Sequence, residues 1–183
     1  MLFFVALAVA IAFAAVAIYN LLVKRTQMAE AGWSDIDVQL KRRADLIPPL
    51  VETVKGYAGH EKVLFEDIAE RRASALSAGD DPEMRAEAEK ALAKPVSKLF
   101  ALAEDYPELK ASENFLDLQR QLAETEDKIE MARRFYNGAV RELNTLIASF
   151  PVNIFAGPVG FSKKIYFEIE ASDRAAPRVA IGN

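Results

Sequence analysis

Residues 1–23 read MLFFVALAVAIAFAAVAIYNLLV, and this stretch decides the fold because it contains no charged side chain. A helix of this length rises about 34 Å, enough to cross the roughly 30 Å hydrocarbon core of a bilayer. Tyr19 lies near its end, where aromatic side chains favour the membrane interface, and Lys24 and Arg25 follow directly. The sequence therefore predicts an N-terminal transmembrane helix.

A cleaved secretory signal is the alternative interpretation, since the run is rich in alanine and has small residues between Phe13 and Ala17. No positively charged segment precedes the run, and it exceeds the roughly 7–15 apolar residues usual in a signal. It also continues into helix-compatible sequence without a break. These features favour an anchor that stays attached.

Basic residues predict the orientation of this anchor. The N-terminal side offers only the α-amino group, whereas the C-terminal side carries Lys24, Arg25, Lys41, Arg42 and Arg43. Positively charged flanks stay in the cytoplasm. We therefore expect the N-terminus outside and the remaining chain in the cytoplasm.

Beyond the anchor, apolar residues recur every three or four positions, which is typical of amphipathic helices. The anchor helix should continue, with a kink or break at Pro48 and Pro49, and end near Gly56. Further helices are predicted over about 61–76 and, with Asp81 as N-cap, over 83–104. The clearest helix follows Ser112, and its stripe comprises Phe115, Leu118, Leu122, Thr125, Ile129, Ala132, Tyr136, Val140, Leu143 and Ile147.

The expected fold is all-α: a transmembrane helix that continues into an antiparallel four-helix bundle, with an irregular C-terminal tail. We assign 1–23 to the anchor, 24–149 to the bundle and 150–183 to the tail. Residues 165–169 alternate weakly, like an extended strand that has no sheet to join. Phe155, Phe161 and Phe167 are expected to pack the tail along the bundle, and the end after Ala171 to be disordered.

Composition argues against several kinds of chemistry. The chain has no cysteine, so disulfides, thiolate nucleophiles and Cys-ligated zinc are excluded. Its net charge of −4, with both signs interspersed, does not favour nucleic acid.

His60 is the single histidine, whereas di-iron bundles need two Glu-x-x-His motifs, so we expect His60 to begin a helix and not to bind metal. Phosphate-binding glycine motifs are also absent. We predict no catalytic, cofactor-binding or metal residue and no cofactor.

Six polar residues lie on or beside the apolar stripes: Asp37, Arg43, Glu52, Thr125, Glu126 and Arg133. The favoured interpretation is that they form pairs across the bundle that fix its register. The alternative is an enzyme of unrecognised type with an Asp37, Glu126 and Arg133 cluster, which predicts a pocket between the first and last long helices and a carboxylate of strongly raised pKa.

The sequence resembles the LemA proteins of bacteria from the anchor to about Glu168. The resemblance rests on Tyr19-Asn20, Leu22-Val23 with Arg25, the stretches WSDIDVQLKRRADLIP (33–48) and VETVKGYA (51–58), His60-Glu61, YPELKA (106–111), Asn114-Phe115, Leu118-Gln119, Thr125-Glu126, Ile129, Arg133, Tyr136-Asn137, Asn144, Phe150-Pro151 and Gly160-Phe161.

This resemblance implies a bacterial inner-membrane protein with one N-terminal span and a cytoplasmic helical domain, and it supplies no catalytic residues. A related protein of magnetotactic bacteria is associated with magnetosome membranes, which suggests by analogy a part in organising membrane. The first function hypothesis is accordingly a membrane-anchored interaction or scaffold protein. Its expected partners are the lipid bilayer and a protein partner or a second copy, with no nucleic acid and no identified small-molecule substrate. A lipid-binding module using the five basic residues above is the remaining alternative.

Overall fold

A computed structural model describes residues 1–168, and throughout that range the ordered elements are helices. Their bounds are α1 Leu2–Lys55, α2 Lys62–Ser77, α3 Pro82–Glu104, α4 Pro107–Lys110, α5 Glu113–Ala148 and α6 Val152–Phe155. The all-α prediction is confirmed, and the long helices lie within a residue or two of their expected limits. The single-turn helices α4 and α6 were not predicted.

Of the predicted kink or break at Pro48 and Pro49, the break is wrong, because α1 continues through both prolines as one helix of 54 residues. Proline lacks the N–H that would bond the carbonyl four residues earlier. For Pro48 that carbonyl belongs to Ala44, and the Arg72 Nε on α2 donates to it at 2.6 Å. Ile47 and Leu50 beside the prolines are buried in the core. Tertiary packing and a substitute donor thus maintain the helix.

Ion pairs between helices define how the bundle is arranged. Arg25 on α1 pairs with Glu142 on α5, and Arg43 pairs with Glu126. Partner numbers fall along α5 as they rise along α1, so these two helices are antiparallel, as predicted. Helices α2 and α3 form a second pair joined by the turn before Asp81, whose side chain accepts from the N–H groups of Glu83 and Met84 at 3.0 Å.

The tail turns back along the bundle after α6. Asn144 donates to the carbonyl of Lys164 at 2.8 Å and accepts from its N–H at 2.9 Å, and Asn137 does the same for Phe167 at 3.0 and 2.9 Å. Burial raises the pKa of Tyr136, whose hydroxyl donates to the carbonyl of Ile165 at 2.8 Å. Side chains on α5 therefore take the place of a neighbouring strand.

The predicted aromatic contacts of the tail are confirmed in two cases of three. Phe167 is fully buried, with its ring centroid 5.3 Å from that of Trp33. Phe161 is half-buried and meets Tyr19 edge-on at 5.6 Å. Phe155 is exposed, so its expected packing is wrong. The buried residue of α6 is Val152 instead. The predictions for Ile169 and for the residues after Ala171 fall outside the described range.

Candidate functional site

The first seventeen residues of the chain make a long apolar surface that the bundle does not cover. Residues 1–17 are exposed, and Leu22 is the first position that is fully buried. Within α1 there is an 18-residue window with a mean hydropathy of 2.7 and no buried residue. Water solvates such a surface poorly, whereas a bilayer solvates it well. Within residues 1–168, α1 is the one helix that is long and apolar enough to cross a membrane.

A charge network inside the bundle joins α1, α3 and α5. Arg43 is buried and donates to Glu89 on α3 and, at 2.8 Å, to Glu126 on α5. Arg85 pairs with Glu89 at 3.1 Å and with Asp37 on α1 at 3.0 Å. The centre of the network is Glu89, which is 2% exposed, and both ends reach solvent.

The neighbouring carboxylates stabilise the charged form of Arg43. Burial disfavours the guanidinium cation, but the nearby carboxylates of Glu126 and Glu89 and their hydrogen bonds outweigh burial and raise the pKa of Arg43 above its ordinary value. A buried ion pair costs desolvation, so its usual contribution is to fix one arrangement of helices. The network therefore has the geometry expected of register-setting pairs.

The structure brings together three of the six predicted polar residues. Asp37, Arg43 and Glu126 belong to the charge network. Glu52 instead pairs with Lys55 on its own helix at 2.7 Å and is exposed. Its expected pairing across the bundle does not occur among the described ion pairs. Buried Thr125 donates to the carbonyl of Gln121 at 2.7 Å, one turn earlier on α5.

Arg133 lies two turns beyond Glu126 on α5 and lines a surface groove of about 520 Å³ with Asn137 and the tail. The enzyme hypothesis placed Arg133 with Asp37 and Glu126. The carboxylates of Asp37 and Glu126 are each paired with an arginine other than Arg133. Neither Asp37 nor Glu126 lines this groove or two other surface grooves, of about 420 and 670 Å³. No cluster of three metal-ligating side chains occurs within residues 1–168.

Sequence reasoning missed Arg85 and Glu89, the two network members on α3. A signal for them was available, because positions 85, 89, 92, 96 and 99 continue the apolar stripe of that helix at spacings of three and four. Charged residues on a stripe that faces the core must be paired. The large apolar residues of this stripe begin only at Leu92, so apolar spacing alone does not reveal these two.

The five basic residues of the lipid-binding hypothesis lie in different environments. Arg43 is buried and paired with Glu89 in the charge network, so its expected contact with lipid headgroups is wrong. Lys41 lies eighteen residues beyond Val23, which is about 27 Å along α1 and further than the roughly 8 Å screening length. Lys24 and Arg25 remain at the end of the apolar stretch.

These features define a class of protein: a membrane-associated all-α protein in which one helix is both the apolar span and a central element of the bundle. The chain belongs to the LemA family, whose family model matches residues 32–181. The resemblance found in the sequence is therefore confirmed.

Curated relatives share this similarity over most of the chain. The chain is 23% identical to magnetosome protein MamQ 2 and to magnetosome protein MamQ 1 of Paramagnetospirillum magneticum, over 82% of its own length. It is 22% identical to magnetosome protein MamQ of Magnetospirillum gryphiswaldense, over 81% of its length. In each case the match covers 64% of the relative.

Proposed function

We propose that this chain is a membrane-anchored scaffold of the bacterial inner membrane that recruits a protein partner or a second copy and has no catalytic activity. In this proposal residues 1–23 are the anchor, 24–149 the bundle and 150–183 the tail. The N-terminus lies outside and the bundle in the cytoplasm.

The observation that carries this proposal is the continuity of α1. The apolar, uncovered segment and the helix that packs against α5 are parts of one uninterrupted helix, Leu2–Lys55. A continuous helix transmits position and orientation directly, unlike a flexible linker. The bundle is therefore held at a fixed place above the bilayer, as a scaffold requires.

The polar interior supports a structural role over chemistry. Catalytic carboxylates commonly sit in a cleft with a perturbed environment. Here Glu89 is enclosed between Arg43 and Arg85, which also engage the more exposed carboxylates of Glu126 and Asp37. Such mutual pairing neutralises the charges that an enzyme would direct toward a substrate.

A surface for a partner is available on α5. Met131 is exposed, and so is about half of Phe135 one turn later, so the two form an apolar pair on α5 that begins at the edge of its contact with Gly32 of α1 and extends outward. Paired apolar side chains of this kind commonly anchor protein interfaces. The magnetosome location in the names of the relatives agrees with a role at a membrane.

Light scattering on detergent-extracted protein tests the scaffold role. We expect a homo-oligomer or a stoichiometric complex that Met131→Glu dissociates. Val63→Glu is the matched control, because Val63 is an exposed apolar residue on α2. A monomer that turns over a substrate and loses turnover in Asp37→Asn would instead establish the enzyme.

Topology is tested with single cysteines, since the chain has none of its own. A membrane-impermeant maleimide should label Leu2→Cys in intact spheroplasts, and Ser77→Cys only after lysis. The opposite labelling pattern would reverse the proposed orientation.

A further inference from the structure

The segment between α5 and the returning tail is apolar on its outer face. We name residues 150–159, FPVNIFAGPV, the foot. Its exposed side chains are Phe150 (80%), Ile154 (57%), Phe155 (49%) and Val159 (50%). No charged residue occurs from Leu143 to Ser162, although charged residues make up 27% of the chain. Scattered exposed apolar residues are ordinary, but a cluster of them marks an interaction surface.

The inner face of the foot packs where the apolar stretch of α1 meets the bundle. Val152 and Ala156 are buried in one cluster with Leu22, Leu143 and Ile147, and Ile18 packs against that cluster. The N–H of Phe161 donates to the carbonyl of Ala156 at 2.9 Å, and the Phe161 ring meets Tyr19. The foot is therefore held beside the last turn of the span.

Position beside the span determines what covers the outer face. If 1–23 crosses the bilayer, Tyr19 and Leu22 lie at the boundary between acyl chains and headgroups. A segment packed on Ile18 and Leu22 then lies at the same depth. Lipid is thus the environment next to Phe150, Ile154 and Phe155, continuous with the lipid around the span.

The surrounding charges fit an anionic lipid surface. The segments that adjoin the foot or follow the span along the chain are 141–148, 160–164 and 24–30. Their basic residues are Lys24, Arg25, Arg141, Lys163 and Lys164, against the acidic Glu30 and Glu142. Glu142 pairs with Arg25 and Glu30 with Lys164, so three positive charges remain in excess. The basic excess favours anionic headgroups, while apolar side chains enter below them.

We propose that the foot is a second membrane attachment, which inserts Phe150, Ile154, Phe155 and Val159 into the interface of an anionic bilayer beside the protein's own span. A bundle attached at two adjacent points cannot swivel about the span. This inference rests on the proposed membrane crossing, and its test separates the two.

The experiment uses the full chain, reconstituted in vesicles of phosphatidylethanolamine and phosphatidylglycerol, with one spin-labelled cysteine per variant. Ile154→Cys reports on the foot and Val9→Cys on the span. Val38→Cys, on the bundle part of α1, is the matched control because Val38 is 58% exposed, like Ile154. Accessibility to oxygen and to a water-soluble nickel chelate gives the depth of each label.

The Ile154 label should lie about 5–10 Å below the headgroup boundary, the depth typical of interfacial segments. The Val38 label should lie in water. Adding Phe155→Asp should move the Ile154 label into water, and adding Val63→Asp should not.

An Ile154 label as accessible to the nickel chelate as the Val38 label would overturn the foot while a lipid-embedded Val9 label upheld the span. An Ile154 label shielded from both reagents would show contact with a second copy and would also overturn it. If the Val9 label is in water, the proposed membrane crossing itself fails.

Discussion

Gly32 and Gly138 offer a direct test of how closely α1 and α5 approach. Both glycines lie inside long helices, one in each of these two. A methyl group added at Gly32 would lie 2.9 Å from Phe135 Cδ1 and 3.1 Å from Tyr136 Cα. At Gly138 the same methyl group would meet nothing within 4 Å.

The expected magnitudes follow from two opposing effects. Alanine is favoured over glycine in a helix interior by about 0.8–1 kcal/mol, so Gly138→Ala should stabilise the bundle by about that amount. Gly32→Ala gains the same helix propensity but overpacks the interface, which typically costs about 1–3 kcal/mol. The half-exposed ring of Phe135 can rotate away, but Tyr136 Cα moves only if α5 itself shifts. We expect Gly32→Ala to be less stable than Gly138→Ala by about 2 kcal/mol.

Thermal unfolding followed by circular dichroism in one detergent measures this difference. About 2–4 °C per kcal/mol is typical for a domain of this size, so the two midpoints should differ by about 6 °C. Both variants have the same apolar segment 1–23 and are measured in the same detergent, so that segment contributes equally to both unfolding midpoints. If Gly32→Ala stabilises the protein as much as Gly138→Ala does, the close approach of α1 to α5 is wrong.

Three further variants test the network, the proline segment and the tail. Glu89→Gln removes the buried negative charge between two arginines and should lower the free energy of unfolding by about 3 kcal/mol in a urea titration. Arg72→Met deprives the Ala44 carbonyl of its donor and should cost about 2 kcal/mol by the same measurement. Asn137→Ala removes both hydrogen bonds to Phe167, so amide exchange at Phe167 should become about tenfold faster.

Neighbouring residues provide the controls for these variants. Glu87→Gln, at an exposed position of α3, should change the free energy of unfolding by less than about 0.5 kcal/mol. Arg71→Met loses one exposed pair with Asp67 and should cost about 0.3–0.5 kcal/mol. Equal losses in Glu89→Gln and Glu87→Gln would contradict the buried network. Unchanged exchange at Phe167 in Asn137→Ala would contradict the side-chain support of the tail.

The long helices and the membrane span were predictable because their signals are local. An uncharged stretch of 23 residues and apolar spacings of three and four are properties of neighbouring residues, and hydrophobic burial acts on them in any all-α arrangement. The stop signal at Gly56 and the start signal at Asp81 with Pro82 are local in the same way. The LemA resemblance and the all-α fold therefore followed from the sequence alone.

The course of the chain at Pro48 depended on a distant residue. Proline predicts a break by its own chemistry, but Arg72 on α2 supplies the missing donor to Ala44 and the core covers Ile47 and Leu50. Sequence position alone does not reveal which arginine will reach a given carbonyl. The same is true of the pairing of Arg43 with Glu89 rather than with Glu126 alone, since 46 residues separate the first pair along the chain.

The sequence by itself determined which segments are helical and which one is long and apolar enough to cross a bilayer, because periodicity and charge act over a few turns of chain. Only the tertiary structure decided which carboxylate neutralises Arg43, how the tail lies on Asn137 and Asn144, and that Phe155 faces outward beside the span. Each of these depends on contacts between segments far apart in the chain, whose free energies are set by the packed arrangement and not by local propensity.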